Sequence, residues 1–298
     1  MATKAEEIQL NITDENGKFI DAVKVDAHDT VEKLKRAVFN GKSGMQPNRQ
    51  QLALPKGDNQ SVVLENRKRL SFYELEDEDI LVVKDLGPQL SWRTVFILEY
   101  LGPLIIHQIF FFWRLNTTTL TTTQILAWAC ITFHFAKREF ESIFIHRFSN
   151  VTRPVSQLFI NSSHYWLMAG VLIGHYLYAP GFKSPSTTVV ISSLIVFLAA
   201  ELGNLYSHVA LRNLRPEGST TRVIPRGGFF ELVSCPNYTF EILAWTAMSV
   251  MTGLISMWIF TITGSVVMCG KALKNHQRYH KEFSTYPKSR KAIIPFVL

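Results

Sequence analysis

Between positions 242 and 270 the chain runs for 29 residues without a single charged side chain. A helix needs about 20 predominantly apolar residues to cross a bilayer, so this stretch exceeds one crossing and predicts one long tilted helix or two shorter ones. Further apolar runs occupy residues 94–113, interrupted by Glu99, His107 and Gln108, the shorter 120–135, the uncharged 155–178, and 187–200. Together they predict an all-α polytopic membrane body of five to seven transmembrane helices. Thr117-Thr118-Thr119 and Ser184-Pro185-Ser186 mark loops between them.

Charge divides the 298 residues into two domains. Residues 1–90 hold 13 Lys+Arg against 16 Asp+Glu, which leaves 18 bases against 8 acids from the chain totals of 31 and 24, and no Asp follows Asp85. The expected organisation is a small acidic soluble domain over 1–86 and a basic, Asp-free membrane domain over 87–298. Basic residues beside apolar helices mark cytosolic loops, so no nucleic-acid partner is expected. Cys130, Cys235 and Cys269 lie far apart in or beside apolar segments and form neither a disulfide framework nor a zinc spacing. Met1 to Gln9 lacks the apolar core of a signal peptide, so insertion is expected to rest on an internal segment.

The first domain reads as alternating elements. Ile8 to Ile12 alternates apolar and polar, Glu15-Asn16-Gly17-Lys18 signals a hairpin turn, and Ala22 to Asp26 forms a second strand. Asp29 or Thr30 can cap a helix running through Asn40, with Val31, Leu34, Ala37 and Val38 on one face. Gln51 to Leu54 and Ile80 to Val83 add later strands. This order resembles the ubiquitin-like β-grasp fold, an α+β architecture.

Four polar groups stand out in the membrane domain. Glu99 is a lone carboxyl in an apolar run, which at membrane depth must be paired or protonated. His134, Lys137, Arg138 and Glu141 fall on one helical face, with Lys137 and Glu141 able to pair at i,i+4, and His146-Arg147 follow. A solvated helix end with internal ion pairs would account for this group equally well. Glu201, Asn204, His208, Arg212 and Arg215 form a stripe three or four apart that continues an apolar helix. Arginines with an Asn and a His suit phosphate and ribose, because guanidinium binds phosphate oxygens in pairs and stays charged. In the C-terminal tail Lys271, Lys274, Asn275, Arg278 and Glu282 share a helical face, and the apolar ending 293–298 argues against a free tail. A basic segment lying on anionic lipid heads is the competing reading of that tail.

Three chemistries lack their signatures. Only His276 and His280 have the spacing of a histidine box, too few ligands for a di-iron centre, and no metal is expected in the site. There is no Gly-x-Ser-x-Gly turn for a serine hydrolase and no Gly-x-Gly-x-x-Gly for a Rossmann domain.

Taken in order, these groups resemble the steroid 5α-reductase superfamily of membrane reductases, and within it the enoyl-CoA reductase branch. The residues that carry the likeness are Glu99-Tyr-Leu-Gly-Pro103, Lys137-Arg138-Glu139-Phe140-Glu141, Asn204 with Leu211-Arg212-Asn213-Leu214-Arg215, the run from Gly227 to Glu241, and Tyr286 to Phe296. The ubiquitin-like N-domain belongs to the enoyl-CoA branch and is missing from the steroid branch. The resemblance implies NADPH held by Arg138, Arg147, Asn204, Arg212, Arg215, Asn237, Lys271, Asn275 and Tyr279. It implies reduction of the 2,3 double bond of a very-long-chain trans-2-enoyl-CoA, the last step of fatty acid elongation, in the endoplasmic reticulum membrane with the N-domain cytosolic. Membrane lipids and other elongation enzymes are the implied partners. Steroid enzymes carry Asp where this chain has His208 and an apolar aromatic where it has Tyr238. That difference singles out Tyr238 as catalytic proton donor, with Glu99 assisting and Glu241 orienting Asn237. A steroid or polyprenol enone reductase, a methyltransferase using S-adenosylmethionine, and a non-enzymatic adaptor are the alternatives.

Overall fold

In a computed structural model of the chain, residues 7–57, 60–147, 152–214 and 223–298 are described. They divide into two compact units, one made of residues 1–91 with 152–155 and the other of residues 92–151 with 156–298.

In the first unit β1 (Glu7–Thr13) and β2 (Phe19–Asp26) form the expected antiparallel hairpin. Thr30 caps α1 (Val31–Val38), its side chain accepting from the Lys33 N–H, and Val31, Leu34 and Val38 are wholly buried. After α1 come β3 (Gln50–Pro55), β4 (Ser61–Val63) and β5 (Ile80–Asp85), in the sheet order β2-β1-β5-β3-β4 with β1 and β5 parallel. Alternate residues of β1, Ile8, Leu10 and Ile12, point into one core with Leu52, Leu70 and Leu81. A short antiparallel pair, β6 (Gln89–Ser91) and β7 (Thr152–Pro154), completes this unit.

The second unit is helical. α2 (Trp92–Leu115) tolerates Pro103 in its interior, and α3 (Thr122–Phe140) starts at a capping box in which Thr121 and Gln124 satisfy each other's backbone N–H groups. One further turn, Glu141–Ile145, extends α3. α4 (Val155–Ser162) and α5 (Ile173–Leu177) are joined by a wider π-helical stretch, Ser163–Leu172, so that 155–177 is one continuous rod. Ser186 caps α6 (Thr187–Asn213), and Pro236 opens α7 (Pro236–Thr252) where its missing N–H is harmless. The uncharged 242–270 run resolves as two helices: Gly253 sits at φ +65°, a left-handed position that ends α7, and α8 (Ile255–Glu282) starts two residues later.

Small residues let these helices approach closely. A Cβ on Gly203 of α6 would lie 2.6 Å from the Phe240 ring of α7, and one on Gly102 of α2 would strike the Trp166 indole at 2.1 Å. Polarity is distributed inside out. Phe159, Ile160, Ile195, Leu202, Ile255 and Val266 face outward, whereas Glu99, His134, Lys137, Glu141, Glu201 and Asn204 are buried. Among the described residues α2, α6 and α8 are long and apolar enough to cross a membrane. The chain is therefore a membrane protein with an N-terminal ubiquitin-like domain.

Candidate active site

The charged residues of α3 and α6 are not a solvated helix end. They meet inside the bundle because both stripes recur at helical spacing on faces turned toward each other and toward α7. His134 stands between two carboxylates, its Nδ1 2.6 Å from Glu201 Oε1 and its Nε2 3.3 Å from Glu241 Oε1. Carboxylates only accept, so a ring that serves both must donate from both nitrogens. Lys137 Nζ lies 2.8 Å from Glu201 Oε2 and donates to Asn204 Oδ1 at 2.5 Å, and its i,i+4 pairing with Glu141 closes at 3.5 Å. Arg138 donates to Glu141 at 3.0 Å and to the Tyr100 hydroxyl at 2.7 Å, and His208 Nδ1 lies 3.0 Å from the same Glu141 oxygen. Three carboxylates are thus set against Lys137, Arg138 and a doubly donating His134. Breaking one partner of such a buried set would cost about 3–5 kcal/mol, because it strands the opposite charge.

Beside this network opens a cavity of about 400 Å³, within the usual range for a small-molecule site. Arg138, Arg147, Asn204, Arg212, Asn237, Lys271 and Tyr279, seven of the nine residues expected to hold a cofactor, line it together with Tyr238. Arg147, Arg212 and Lys271 are exposed, whereas Tyr100 is buried and Phe96 and Tyr165 are half-buried, so the wall grades from a cationic mouth to an aromatic interior. Arg215 lies outside the described residues. Asn275 is not among the lining residues; its amide points at Cys235 Sγ, 3.8 Å away. Glu99 stands off the lining as well, buried and accepting from Asn161 Nδ2 at 2.8 Å.

Two placements refine the expected roles. Asn204 faces the cavity with its amide fully engaged, accepting from Lys137 and donating to the Asn237 carbonyl at 2.9 Å and to Glu241 at 3.0 Å. Asn204, rather than Glu241 alone, therefore fixes the first turn of α7, on which Asn237 and Tyr238 sit. The Tyr238 hydroxyl makes no hydrogen bond with a described residue. Tyr100, Tyr165 and Phe96 escaped sequence reading because an aromatic in an apolar helix looks like core; the position of Tyr100 next to Glu99 was the one available signal.

The C-terminal tail is bonded to the segment that leads into α7. Lys291 N–H donates to the Leu232 carbonyl at 3.0 Å, the N–H groups of Ser234 and Cys235 donate to Lys291 and Ala292, and Thr239 Oγ1 donates to the Ile293 carbonyl at 2.6 Å. Ala292 and Ile293 are buried, so the tail is docked as its apolar ending predicts. Glu231 takes hydrogen bonds from Gly227 N–H, Arg226 and Arg290, which together hold its carboxyl below the usual range. Burial pushes the Cys235 thiol up to about 11, which leaves it a poor nucleophile. All three cysteines are free.

A nicotinamide dinucleotide presents phosphates, ribose hydroxyls and a flat ring. Exposed cations at a mouth leading to stacked aromatics match that chemistry.

Comparison with known proteins gives a consistent result. Residues 151–298 match the family described as 3-oxo-5-alpha-steroid 4-dehydrogenase, and residues 7–90 match the ubiquitin-like domain. The chain is 39% identical to the very-long-chain enoyl-CoA reductase of Dictyostelium discoideum over 96% of this chain and 98% of that protein. It is 38% identical to a Caenorhabditis elegans protein named probable very-long-chain enoyl-CoA reductase, over 92% of this chain and 93% of that one. A human protein, trans-2,3-enoyl-CoA reductase-like, is 34% identical over 73% of this chain and 64% of its own length.

Proposed function

This chain belongs to the very-long-chain enoyl-CoA reductase family, and from that membership we propose that it reduces the 2,3 double bond of long-chain trans-2-enoyl-CoA with NADPH, the last step of fatty acid elongation. It is an oxidoreductase acting on a CH–CH bond, with a nicotinamide cofactor and an acyl-CoA substrate as its class requires. The observation that carries the finer reading is the convergence of seven candidate cofactor residues and Tyr238 on one cavity.

Bound there, a reduced nicotinamide supplies the hydride that the β-carbon of the enoyl thioester accepts. The protein's own groups do the rest. Arg147, Arg212 and Lys271 at the mouth pair with phosphate oxygens, and the exposure of all three makes that attraction salt-dependent. Tyr279 and Asn237 set the orientation of the bound molecule from the α8 and α7 walls. The aromatic interior excludes water from the reacting carbons and strengthens every electrostatic contact there.

As negative charge develops on the thioester oxygen, the α-carbon needs a proton. Tyr238 provides it, since the residue lines the cavity and its hydroxyl is not committed to another described residue. Tyr100 also lines the cavity, with its hydroxyl accepting from Arg138. Glu99 acts at one remove: it precedes Tyr100 on α2 and binds Asn161, so it positions that helix against the 155–177 rod. Arg215 and Asn275 stay in the proposed cofactor set through the family's motif.

The endoplasmic reticulum membrane, a cytosolic N-domain, surrounding lipids and contacts with other elongation enzymes complete the proposal. Its test is NADPH consumption by the detergent-purified protein offered either a long trans-2-enoyl-CoA or a 3-oxo-4-ene steroid. The reading expects turnover with the thioester and none with the steroid; the reverse preference would move the chain to the steroid reductases.

A further inference from the structure

The one histidine pair at box spacing is not used by the reaction. His276 and His280 lie one turn apart near the C-terminal end of α8, and their Nε2 atoms face each other at 3.2 Å. Zinc takes imidazole nitrogens at about 2.0–2.1 Å, and two nitrogens 3.2 Å apart and equally distant from such an ion subtend an angle of about 100°, near the tetrahedral value.

The pair is also held in place. His276 Nδ1 is bonded to Ser234 Oγ at 2.6 Å, which ties down the far side of the ring and leaves Nε2 as the outward atom. Outer partners of this kind fix the tautomer and the aim of a ligating imidazole. Both rings pack edge-on against Tyr286, at 5.8 and 4.9 Å between centroids. His280 is exposed and His276 half-buried, so an ion and its waters have access.

We propose that the chain binds one Zn²⁺ through Nε2 of His276 and Nε2 of His280, with water filling the remaining positions. The site is distinct from the group of buried Glu141 and His208 with half-buried His146, whose ligand atoms lie within 4.8 Å of one another. There the Arg138 guanidinium already occupies Glu141 and reaches His208 at 3.4 Å, so a second cation is unwelcome. Among the described residues no ion pair involves His276 or His280. Arg290 and Lys291, on the neighbouring tail, lie close enough to His276 to oppose a bound cation.

Occupancy acts on the docked tail. Tyr286 stacks on Tyr279 with ring centroids 5.3 Å apart and planes parallel to within 1°, and Tyr279 lines the cavity. An ion that clamps the two histidines against Tyr286 stiffens that wall, and an ion bound to the folded state alone raises its melting temperature.

Equilibrium dialysis of the full-length, detergent-purified protein against ZnCl₂ tests the site, with His280→Gln and Ser234→Ala alongside and thermal unfolding recorded with and without the ion. The expected result is one Zn²⁺ per wild-type chain at sub-millimolar concentration and a rise in melting temperature. His280→Gln should lose both effects while keeping the metal-free melting temperature, and Ser234→Ala should bind about 10-fold more weakly. Equal zinc binding by wild type and His280→Gln would overturn the proposal, as would no binding below millimolar, which would leave the contact as a histidine–histidine hydrogen bond.

Discussion

His134 is the residue on which the neutrality of the buried site depends, since among the described residues it alone touches both Glu201 and Glu241. His134→Gln removes the charged ring that reaches both carboxylates from opposite nitrogens, so a loss of about 3–5 kcal/mol is expected, read as a lowered unfolding midpoint in detergent. Adding Glu201→Gln to it should recover part of that loss, because the second change removes one of the two carboxylates that the ring had served. At the mouth the expectation concerns affinity. Arg212→Ala and Lys271→Ala should each weaken NADPH binding about 10-fold at low salt and by less at high salt, measured by fluorescence titration. The helical spacing of these residues was legible in the sequence, and so was the Lys137–Glu141 pair. The partners across helices were not: Glu201 lies 67 positions from His134, and no periodicity within one segment announces such a contact.

The packing of α6 on α7 carries the network to the cavity, because Asn204 reaches the start of α7 only where Gly203 lets Phe240 approach. Gly203→Ala would press a methyl into that ring, at a cost of about 1–3 kcal/mol in stability. It should also raise the KM for NADPH, since Asn237 and Tyr238 move with the first turn of α7. In the N-domain a different element is strained. Lys35 of α1 is buried and donates to the Gln50 carbonyl of β3, and burial lowers its ammonium from 10.5 to about 8, against a smaller opposing pull from Glu32. A folded-state value below the unfolded one means that the charged form opposes folding at neutral pH and that this penalty fades as pH rises from about 8 toward 10.5. Urea unfolding of residues 1–90 should therefore show Lys35→Met more stable than wild type at pH 7, with the gap narrowing by pH 10. Strands β1, β2, β3 and β5 were readable from alternation and turn signals. β4 was not, because three residues, Ser61–Val63, are too few to show a period. Two helices over 242–270 was one of the two readings the sequence allowed; the position of the break was not legible, because Gly253 and its neighbours are all uncharged and its backbone conformation marks the turn.

At the scale of the whole molecule the chain places apolar surface outside and charge inside its helical unit, the distribution a bilayer demands. Composition made part of that legible, since the apolar runs and the missing aspartates set the helical body apart from the ubiquitin-like domain. What composition could not supply was the cavity. Phe96, Tyr100 and Tyr165 become its wall only when α2 and the 155–177 rod are brought against α3. The proposed reaction requires that the cavity hold a nicotinamide cofactor through its cationic mouth and that Tyr238 donate a proton to the substrate. The most direct measurement pairs turnover of a long trans-2-enoyl-CoA with NADPH affinity in purified Tyr238→Phe. A fall in kcat of about 100-fold or more with an unchanged NADPH Kd is the predicted result, and near-normal turnover would contradict it.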